Sequence, residues 1–258
     1  MVALEPASTV NEFGQPIGLS MGSWTPPPFP PRKTLSGVYC QVEPLESTRH
    51  AQDIWEALES TRHAQDIWEA LGDDPSDARW TYLPYGPYKG FDEFGKWCSE
   101  AEQTRDPQFY AIVVDGHAVG LFAYFRVDPS NGVIEVGHVH FSPRLARTCA
   151  AAESIYLLLK NAFDLGYRRF EWKCDSFHTG SCVAAGRFGF TYEGKFRQLI
   201  VYKGRSRDTM WFSIIDSDWN GGLKEAYDRW LDSDNFDQDG QQKLKLSELT
   251  EPFVHARP

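Results

Sequence analysis

Residues 132–167 read GVIEVGHVHFSPRLARTCAAAESIYLLLKNAFDLGY, and this stretch decides the fold. β-Branched residues recur over residues 133–141, which is typical of a strand. A short basic loop with Arg144 and Arg147 follows the strand. Residues 150–165 are then apolar and alanine-rich at helical spacing, and a glycine ends the segment. The stretch predicts a strand–loop–helix unit in which the loop and helix amides, with the two arginines, suit a pyrophosphate.

The segments around this unit predict a sheet with helices packed on it. The turn Asp115-Gly116 separates two alternating apolar runs, which indicates an antiparallel hairpin. The predicted strands span residues 37–44, 109–114, 118–127, 133–141, 168–174, 191–202 and 209–215. The predicted helices span residues 91–102, 150–165, 181–188 and 223–231. Because strands and helices interleave, the fold class is α/β (α+β), with a mixed, mostly antiparallel sheet flanked by helices.

Composition excludes several classes of protein. The chain has 258 residues, of which 41% are apolar and 14% aromatic, so it can bury a substantial core. No run of about 18 apolar residues exists, which argues against a transmembrane helix, and the first residues do not have the pattern of a secretory signal. Five scattered cysteines without a CxxC pair indicate a reducing compartment and no metal site. We therefore expect a cytoplasmic protein that does not bind a membrane.

Charge is distributed unevenly along the chain. The net charge of −10 argues against a nucleic-acid partner. Residues 140–210 nevertheless hold 12 Lys and Arg against 6 Asp and Glu, a local charge of +6. This basic segment predicts a site for a compact anion, while the acidic remainder favours a cationic substrate, such as a polyamine, an amino sugar or a basic protein N-terminus.

A perfect tandem copy interrupts the first part of the chain. Residues 45–57 and 58–70 both read LESTRHAQDIWEA. Thirteen residues at 100° each advance a helix by about 220°, so Trp55 and Trp68 cannot face one core from one continuous helix. We expect one copy to dock on the domain and the other to extend the helix or form a loop.

The order and spacing of several segments resemble one family. These segments are NEFGQPIG, WTYLPYGPY, IEVGHVHFSP, AAAESIYLLLKNAF, RFGFTYEGKFRQ, KGRSRDTMWFS and NFDQDG. Together, over residues 10–240, they resemble the GCN5-related N-acetyltransferases (GNAT), specifically the ribosomal-protein-alanine-acetyltransferase-like (RimJ/RimL-type) branch. The resemblance implies a GNAT fold whose sheet is splayed between its fourth and fifth strands. It also implies direct transfer of an acetyl group from acetyl-CoA to a primary amine.

The resemblance divides the chain into three parts. Residues 35–219 are expected to form the acetyltransferase domain. Residues 1–34 are rich in Pro and Gly and predict an extended arm, with Phe13, Ile17, Trp24 and Phe29 available to hold it on the domain. Residues 220–258 predict a helix and a polar tail. The tail contains a calcium-loop-like string that has no carboxylate at its twelfth position, so no metal is expected there.

In the resembling family, the loop after the fourth strand binds the CoA pyrophosphate with the pattern Q/R-x-x-G-x-G/A. Here Ala146 replaces the polar residue and Cys149 replaces the glycine, and a Cβ atom restricts positive φ. His178 stands where the family has Asn in N-x-x-S, and Ser181 is retained. The residues expected to bind the cofactor are Phe141, Arg144, Arg147, Thr148, Cys149, Ala150, Ala151, His178 and Ser181.

The family often takes its catalytic base from the fourth strand. Glu135, His138 and His140 lie there and are the candidates, although a histidine in such a strand is also commonly a core residue. Strict alternation puts both histidines on one face and Glu135 on the other, unless the family's β-bulge is present. The tyrosine acid common in the superfamily would fall near Ala185 and is absent, which leaves Ser181 as the candidate acid.

The acceptor is expected near the aromatic loop of residues 80–88, the copied helix and residues 203–208. The substrate-binding candidates are Trp80, Tyr82, Tyr85 and Tyr88, and the alternative is that these rings pack locally. A small-molecule amine is favoured, such as a polyamine or amino sugar, and a homodimer is compatible with the sequence. The alternatives are a protein N-terminal acetyltransferase and a catalytically idle GNAT-fold module that binds CoA or a partner.

Overall fold

The computed structural model describes residues 8–47, 62–72, 77–238 and 241–258. The strands are β1 (Ser8–Val10), β2 (Pro16–Gly18), β3 (Leu35–Ser36), β4 (Gln41–Pro44), β5 (Gln108–Val114), β6 (His117–Asp128), β7 (Val133–Phe141), β8 (Arg169–Asp175), β9 (Thr191–Tyr202) and β10 (Arg205–Ile215). The helices are α1 (Arg62–Gly72), α2 (Phe91–Glu102), α3 (Cys149–Asp164), α4 (Thr179–Arg187), α5 (Asp216–Asp218), α6 (Lys224–Leu231) and α7 (Leu246–Thr250). Within these ranges, no helix has the length and apolar content needed to cross a bilayer.

Eight strands form one mixed sheet in the order β3-β4-β5-β6-β7-β8-β10-β9. All neighbours in it are antiparallel except β7 and β8, which are parallel because helix α3 forms the crossover between them. Their pairing runs from Val133–Arg169 to Val136–Trp172 and ends there. Beyond that point β7 pairs with β6 alone and β8 with β10 alone. This gap, which we call the splay, confirms the predicted GNAT architecture. Strands β7 and β8 correspond to the strands that are counted fourth and fifth in the GNAT fold.

Each face of the sheet carries its own hydrophobic core. Ile134, Val136 and the apolar side of α3 belong to one core, which we call the α3 core. Helices α1 and α2 cover the opposite face, where Ile67 and Phe94 are fully buried, and we call this the α2 core. The splay therefore opens between two rigid layers.

Helix α1 is built from the second copy of the tandem repeat. Ile67 and Ala70 are fully buried in it, and the Trp68 ring packs on Phe94 at 5.6 Å between ring centroids. One copy therefore docks, as expected. The other half of that expectation concerns Trp55, which lies outside the described residues.

A buried carboxylate fastens the β3–β4 turn to helix α3. Glu153 is 3% exposed and accepts hydrogen bonds from the backbone amides of Val38, Tyr39 and Cys40 at 2.7, 2.7 and 2.8 Å. A Cβ atom on Gly37 would come within 2.2 Å of the Glu153 carboxyl carbon, so only glycine fits there. The turn and the first part of α3 thus form one unit.

The amino-terminal arm differs from the expected extended chain. Strands β1 and β2 form an antiparallel hairpin, and Phe13 and Ile17 are exposed by 78% and 46%, so neither holds the arm on the domain. Trp24 packs against Gly132, and the Phe29 ring lies 4.4 Å from the Arg105 guanidinium. Within residues 8–34, the contacts of Trp24 and Phe29 with the domain lie in the proline-rich second half, while Phe13 and Ile17 are exposed.

Candidate active site

A β-bulge lies at the point where β7 leaves β8. In the pairing with β6, Leu121 faces His140 whereas Ala123 faces Gly137, so β7 has one extra residue. His138 takes up this residue with φ +56°, an uncommon conformation for a side chain other than glycine. The bulge shifts the alternation of the strand by one position.

The shift brings all three candidate bases to the same face. Ile134 and Val136 pack in the α3 core before the bulge, and Val139 and Phe141 pack against it after the bulge. Glu135 therefore lies on the α2-core side together with both histidines. Of the two arrangements that the sequence left open, the structure therefore has the one with the β-bulge, and strict alternation does not hold.

A cavity of about 280 Å³ occupies the splay on this side of the sheet. It brings together five of the residues singled out from the sequence, namely Tyr82, Glu135, His138, His178 and Ser181. The other lining residues come from β6, β8, the residue 79–84 loop and the β9–β10 hairpin. Segments far apart in the chain therefore build one pocket.

Glu135 is the buried carboxylate in this cavity, with 3% of its surface exposed. Arg126 Nη1 and Lys173 Nζ both donate to its Oε2 at 2.9 Å. Burial raises the pKa of the Glu135 carboxyl, and the two cations oppose that rise. No donor among the described residues reaches the other oxygen, Oε1, which leaves it available to a water or a substrate.

Lys173 links this carboxylate to a longer row of buried charges. Its Nζ lies 2.6 Å from Glu171 as well as 2.9 Å from Glu135, and 3.8 Å from the centre of the Trp211 ring. Arg169 then bridges Glu171 and Glu193. Such alternating partners satisfy charges that would be costly to bury alone.

The two histidines of β7 have different surroundings. His138 lines the cavity, stacked 5.6 Å from Tyr85, whereas His140 lies outside it and contacts the edge of Trp80 at 4.5 Å. Burial lowers the pKa of each to about 4, with Arg126 adding to the effect at His138 and Arg79 at His140. Both imidazoles are therefore neutral at pH 7.

Ser181 and His178 meet at the start of helix α4. The Ser181 hydroxyl accepts a hydrogen bond from Trp172 Nε1 at 2.9 Å, and its own proton is within hydrogen-bond reach of the Cys174 sulfur. His178 caps the helix by accepting from the Ser181 amide through Nδ1 at 3.3 Å, and burial lowers its pKa. His178 thus does the capping that an asparagine would do at this position.

The start of helix α3 forms the candidate anion site. Thr148 caps the helix, and its hydroxyl accepts from the Ala151 amide at 3.2 Å. Helix geometry leaves the amides of Cys149 and Ala150 without intrahelical acceptors. The positive φ that the loop requires, +69°, falls on Arg147, and Cys149 lies inside the helix. The Cβ atom of Cys149 therefore does not disturb the loop.

The aromatic loop contributes only one of its four candidates to the cavity. Tyr82 lines it, while Trp80, Tyr85 and Tyr88 pack with one another and with α2 in the α2 core. The three rings therefore pack locally, because the loop lies flat on the sheet and presents only its Tyr82 end to the splay.

Two contacts hold this loop across the cavity. Lys203 Nζ, at the tip of the β9–β10 hairpin, donates to the Trp80 carbonyl oxygen at 2.7 Å. On the other side, the Tyr82 hydroxyl donates to the Phe177 carbonyl oxygen at 3.2 Å, and its ring stacks on His178 at 4.4 Å. The loop and the hairpin thus form a bridge over the splay, which we call the loop–hairpin bridge.

Several lining residues were missed in the sequence. Lys173 and Asp175 are not among the candidates from the sequence, yet both line the cavity, where the Lys173 side chain is 5% exposed and Asp175 is 5% exposed. The Tyr202 hydroxyl donates to Asp175 Oδ2 at 2.8 Å, which with burial raises the pKa of Tyr202 to about 12. The sequence did contain a signal for these buried charges, since Glu171 and Lys173 alternate with Phe170 and Trp172. Strand β8 lies in the middle of the sheet, where both faces are covered.

Comparison with known proteins identifies the family. The model of the acetyltransferase (GNAT) family matches residues 64–190. A crystal structure of a GCN5-related N-acetyltransferase from Brucella melitensis is 40% identical, with a TM-score of 0.81 over 90% of this chain and 100% of that one. A probable acetyltransferase of the GNAT family from Chromobacterium violaceum ATCC 12472 is 36% identical, with a TM-score of 0.69 over 80% and 98% of the two chains.

A third structure bears on the branch within the family. It is an acetyltransferase from Salmonella typhimurium that modifies the N-terminal serine of ribosomal protein L7/L12, at 16% identity and a TM-score of 0.57 over 71% of this chain and 99% of that one. Likeness at that level shows the fold alone, so the RimJ/RimL-type branch stays a prediction. A search of curated proteins finds no match. On the fold, the splay and the two relatives above 30% identity, the chain belongs to the GCN5-related N-acetyltransferase family of acetyl-CoA-dependent enzymes.

Proposed function

We propose that this protein transfers the acetyl group of acetyl-CoA to the primary amine of a small molecule. The loop–hairpin bridge is the observation that carries the proposal. It closes over the cavity through the Lys203 and Tyr82 contacts, and the space beneath it is about 280 Å³. A volume of that order suits a small acceptor and disfavours a protein N-terminus.

The splay supports acetyl-CoA as the donor. Residues 137–141 have no neighbouring strand on the β8 side, so their backbone groups are available to an extended pantetheine chain. The amides at the start of α3, with Arg144 and Arg147 in the preceding loop, suit the pyrophosphate. When bound, acetyl-CoA supplies an activated acetyl group at the end of β7 where the cavity lies.

We assign the proton-accepting role to Glu135. Its Oε1 is free in the cavity, whereas both cations bind Oε2 and keep the carboxylate fixed. The acceptor nitrogen attacks the thioester carbonyl carbon, the carbon–sulfur bond breaks, and the sulfur leaves with the bonding electrons. Glu135 takes the proton from nitrogen, directly or through one water, and the Ser181 hydroxyl donates a hydrogen bond to the departing sulfur. His138 is the alternative acceptor, and its lowered pKa makes it the weaker base.

The test measures release of the CoA thiol from acetyl-CoA. A panel of small amines is compared with peptides that begin with alanine or serine. Glu135→Gln should lower kcat by about 100-fold or more, because a positioned base contributes that much. Glu225→Gln, on the exposed side of α6, is the matched control.

Three outcomes would contradict the proposal in different ways. CoA binding without turnover on any amine would indicate an idle CoA-binding module. Turnover confined to the peptides would indicate a protein N-terminal acetyltransferase. Full activity of Glu135→Gln would remove Glu135 from catalysis.

A further inference from the structure

The charges around the cavity do not balance. Among the described lining residues, the cationic side chains are Arg79, Arg126, Lys173 and Arg207, and the carboxylates are Glu135 and Asp175. With its histidines neutral, the lining has an excess of two positive charges, one of which is offset by Glu171, a carboxylate outside the lining that lies 2.6 Å from Lys173. This excess is opposite in sign to the net charge of −10 that the whole chain carries.

The buried cation and both carboxylates are already satisfied. Lys173 lies between Glu135 and Glu171. Asp175 accepts from the Phe177 amide at 2.9 Å and from the Tyr202 hydroxyl at 2.8 Å. These groups balance one another and leave an excess of one positive charge in the lining.

Arg207 has no such partner. It is half-buried on β10, its Nε donates to the neutral Thr209 hydroxyl at 3.1 Å, and its guanidinium lies 5.7 Å from the centre of the Tyr202 ring. It forms no ion pair within the part of the chain that the structure describes. Its remaining N–H groups form the fork that recognises carboxylate and phosphate groups.

The approach to the cavity has the same sign. The β9–β10 hairpin, residues 191–215, contains five Lys or Arg against two carboxylates, Glu193 and Asp208. An excess of one sign beside a recessed site raises the local concentration of oppositely charged molecules. An anionic molecule would therefore be drawn to this mouth although the rest of the surface repels it.

We infer that the acceptor amine also carries an anionic group, a carboxylate or a phosphate, which binds Arg207 while the amine faces Glu135. This inference rests on the proposed function and names the class of its acceptor. The class comprises amino acids and amino phosphates, and it excludes polyamines and simple alkylamines as the preferred substrates. The acidic net charge suggested a cationic acceptor, but the charges close to the cavity act on the bound molecule more strongly than distant ones.

The test compares matched pairs of acceptors that differ only in the anionic group. Lysine is paired with cadaverine, phenylalanine with phenethylamine, and phosphoethanolamine with ethanolamine, and thiol release gives kcat/KM for each. We expect the anionic member of at least one pair to exceed its partner by about 10-fold or more, as a well-formed ion pair would give. The first two pairs report a carboxylate and the third a phosphate.

Variants then assign the preference to one side chain. Arg207→Gln should reduce the ratio of the two kcat/KM values by about 10-fold, and Arg207→Lys should retain part of it. Arg205→Gln is the matched control, because Arg205 lies on the same hairpin but is exposed and does not line the cavity. Thermal unfolding of each variant checks that it is folded.

The outcomes separate this inference from the proposed function. Equal kcat/KM values within every pair, or an equal loss for both members in Arg207→Gln, would overturn the inference and leave the acetyltransferase activity standing. The absence of thiol release with every amine would overturn the proposed function and the inference with it.

Discussion

Glu153 provides the sharpest test of how the cofactor side of the fold is held together. In Glu153→Gln one carboxylate oxygen becomes an NH2 group, which cannot accept the hydrogen bond of an amide. At best the two amide bonds to Oε2 survive as neutral bonds, each weaker by about 1 kcal/mol, and the part-buried bond of the Val38 amide is lost at a cost of about 1–3 kcal/mol. The free energy of unfolding should therefore fall by about 3–5 kcal/mol, a large part of the ~5–15 kcal/mol typical of a domain.

Urea unfolding followed by tryptophan fluorescence measures this difference, and Glu225→Gln on the exposed side of α6 is the control. Gly37→Ala gives an independent approach, because its Cβ would lie 2.2 Å from the Glu153 carboxyl carbon. In a double-mutant cycle with Glu153→Ala, which removes the crowded atoms, the two substitutions should couple by about 1 kcal/mol or more. A loss below about 0.5 kcal/mol in Glu153→Gln would refute the reasoning, since that is the range of an ordinary surface substitution.

Three further predictions follow from single side chains. The folded state holds His140 neutral with a pKa of about 4, so between pH 6.5 and 4 only the unfolded chain binds the proton and stability falls as the pH falls. Between pH 7 and 4 the free energy of unfolding of His140→Leu should therefore fall by up to about 3 kcal/mol less than that of the parent, as measured from urea unfolding midpoints. Thr148→Ala should lower the free energy of unfolding by about 1 kcal/mol and should also weaken the affinity for CoA, which calorimetry measures. Thr148→Ser should keep the stability and the CoA affinity of the parent. Ile67→Ala should cost about 2–4 kcal/mol because Ile67 is fully buried, with the identical substitution in the first repeat copy, Ile54→Ala, measured beside it.

The local structure of this chain could be read from its sequence with good accuracy. The predicted helix at residues 91–102 and the predicted strands at 133–141 and 191–202 have the observed bounds, because turn residues and alternation mark both ends. The splay was expected only through the family resemblance. Periodicity describes each strand alone and does not say where two strands stop pairing.

The candidate site was harder to predict, for two physical reasons. One extra residue in β7 decides the face of Glu135 and His138, and no local pattern marked its position. Lys173 lies on β8 and Arg207 on β10, two strands that are distant from β7 in the sequence. Their shared location in the cavity therefore depends on how the strands pair in the sheet. The sequence left two alternatives open for the rings of the aromatic loop, since composition does not tell a ligand-binding ring from a core ring.

The bulge in β7 has a consequence for how this strand tolerates substitution. Before it, the even-numbered positions Ile134 and Val136 require apolar side chains; after it, the odd-numbered Val139 and Phe141 do. A saturation scan of the strand would thus show a two-residue rhythm that changes phase once, at His138. Deleting His138 would restore a single phase and leave Val139 and Phe141 on the α3-core side, so the deletion would remove the bulge and one cavity side chain without turning the rest of the strand.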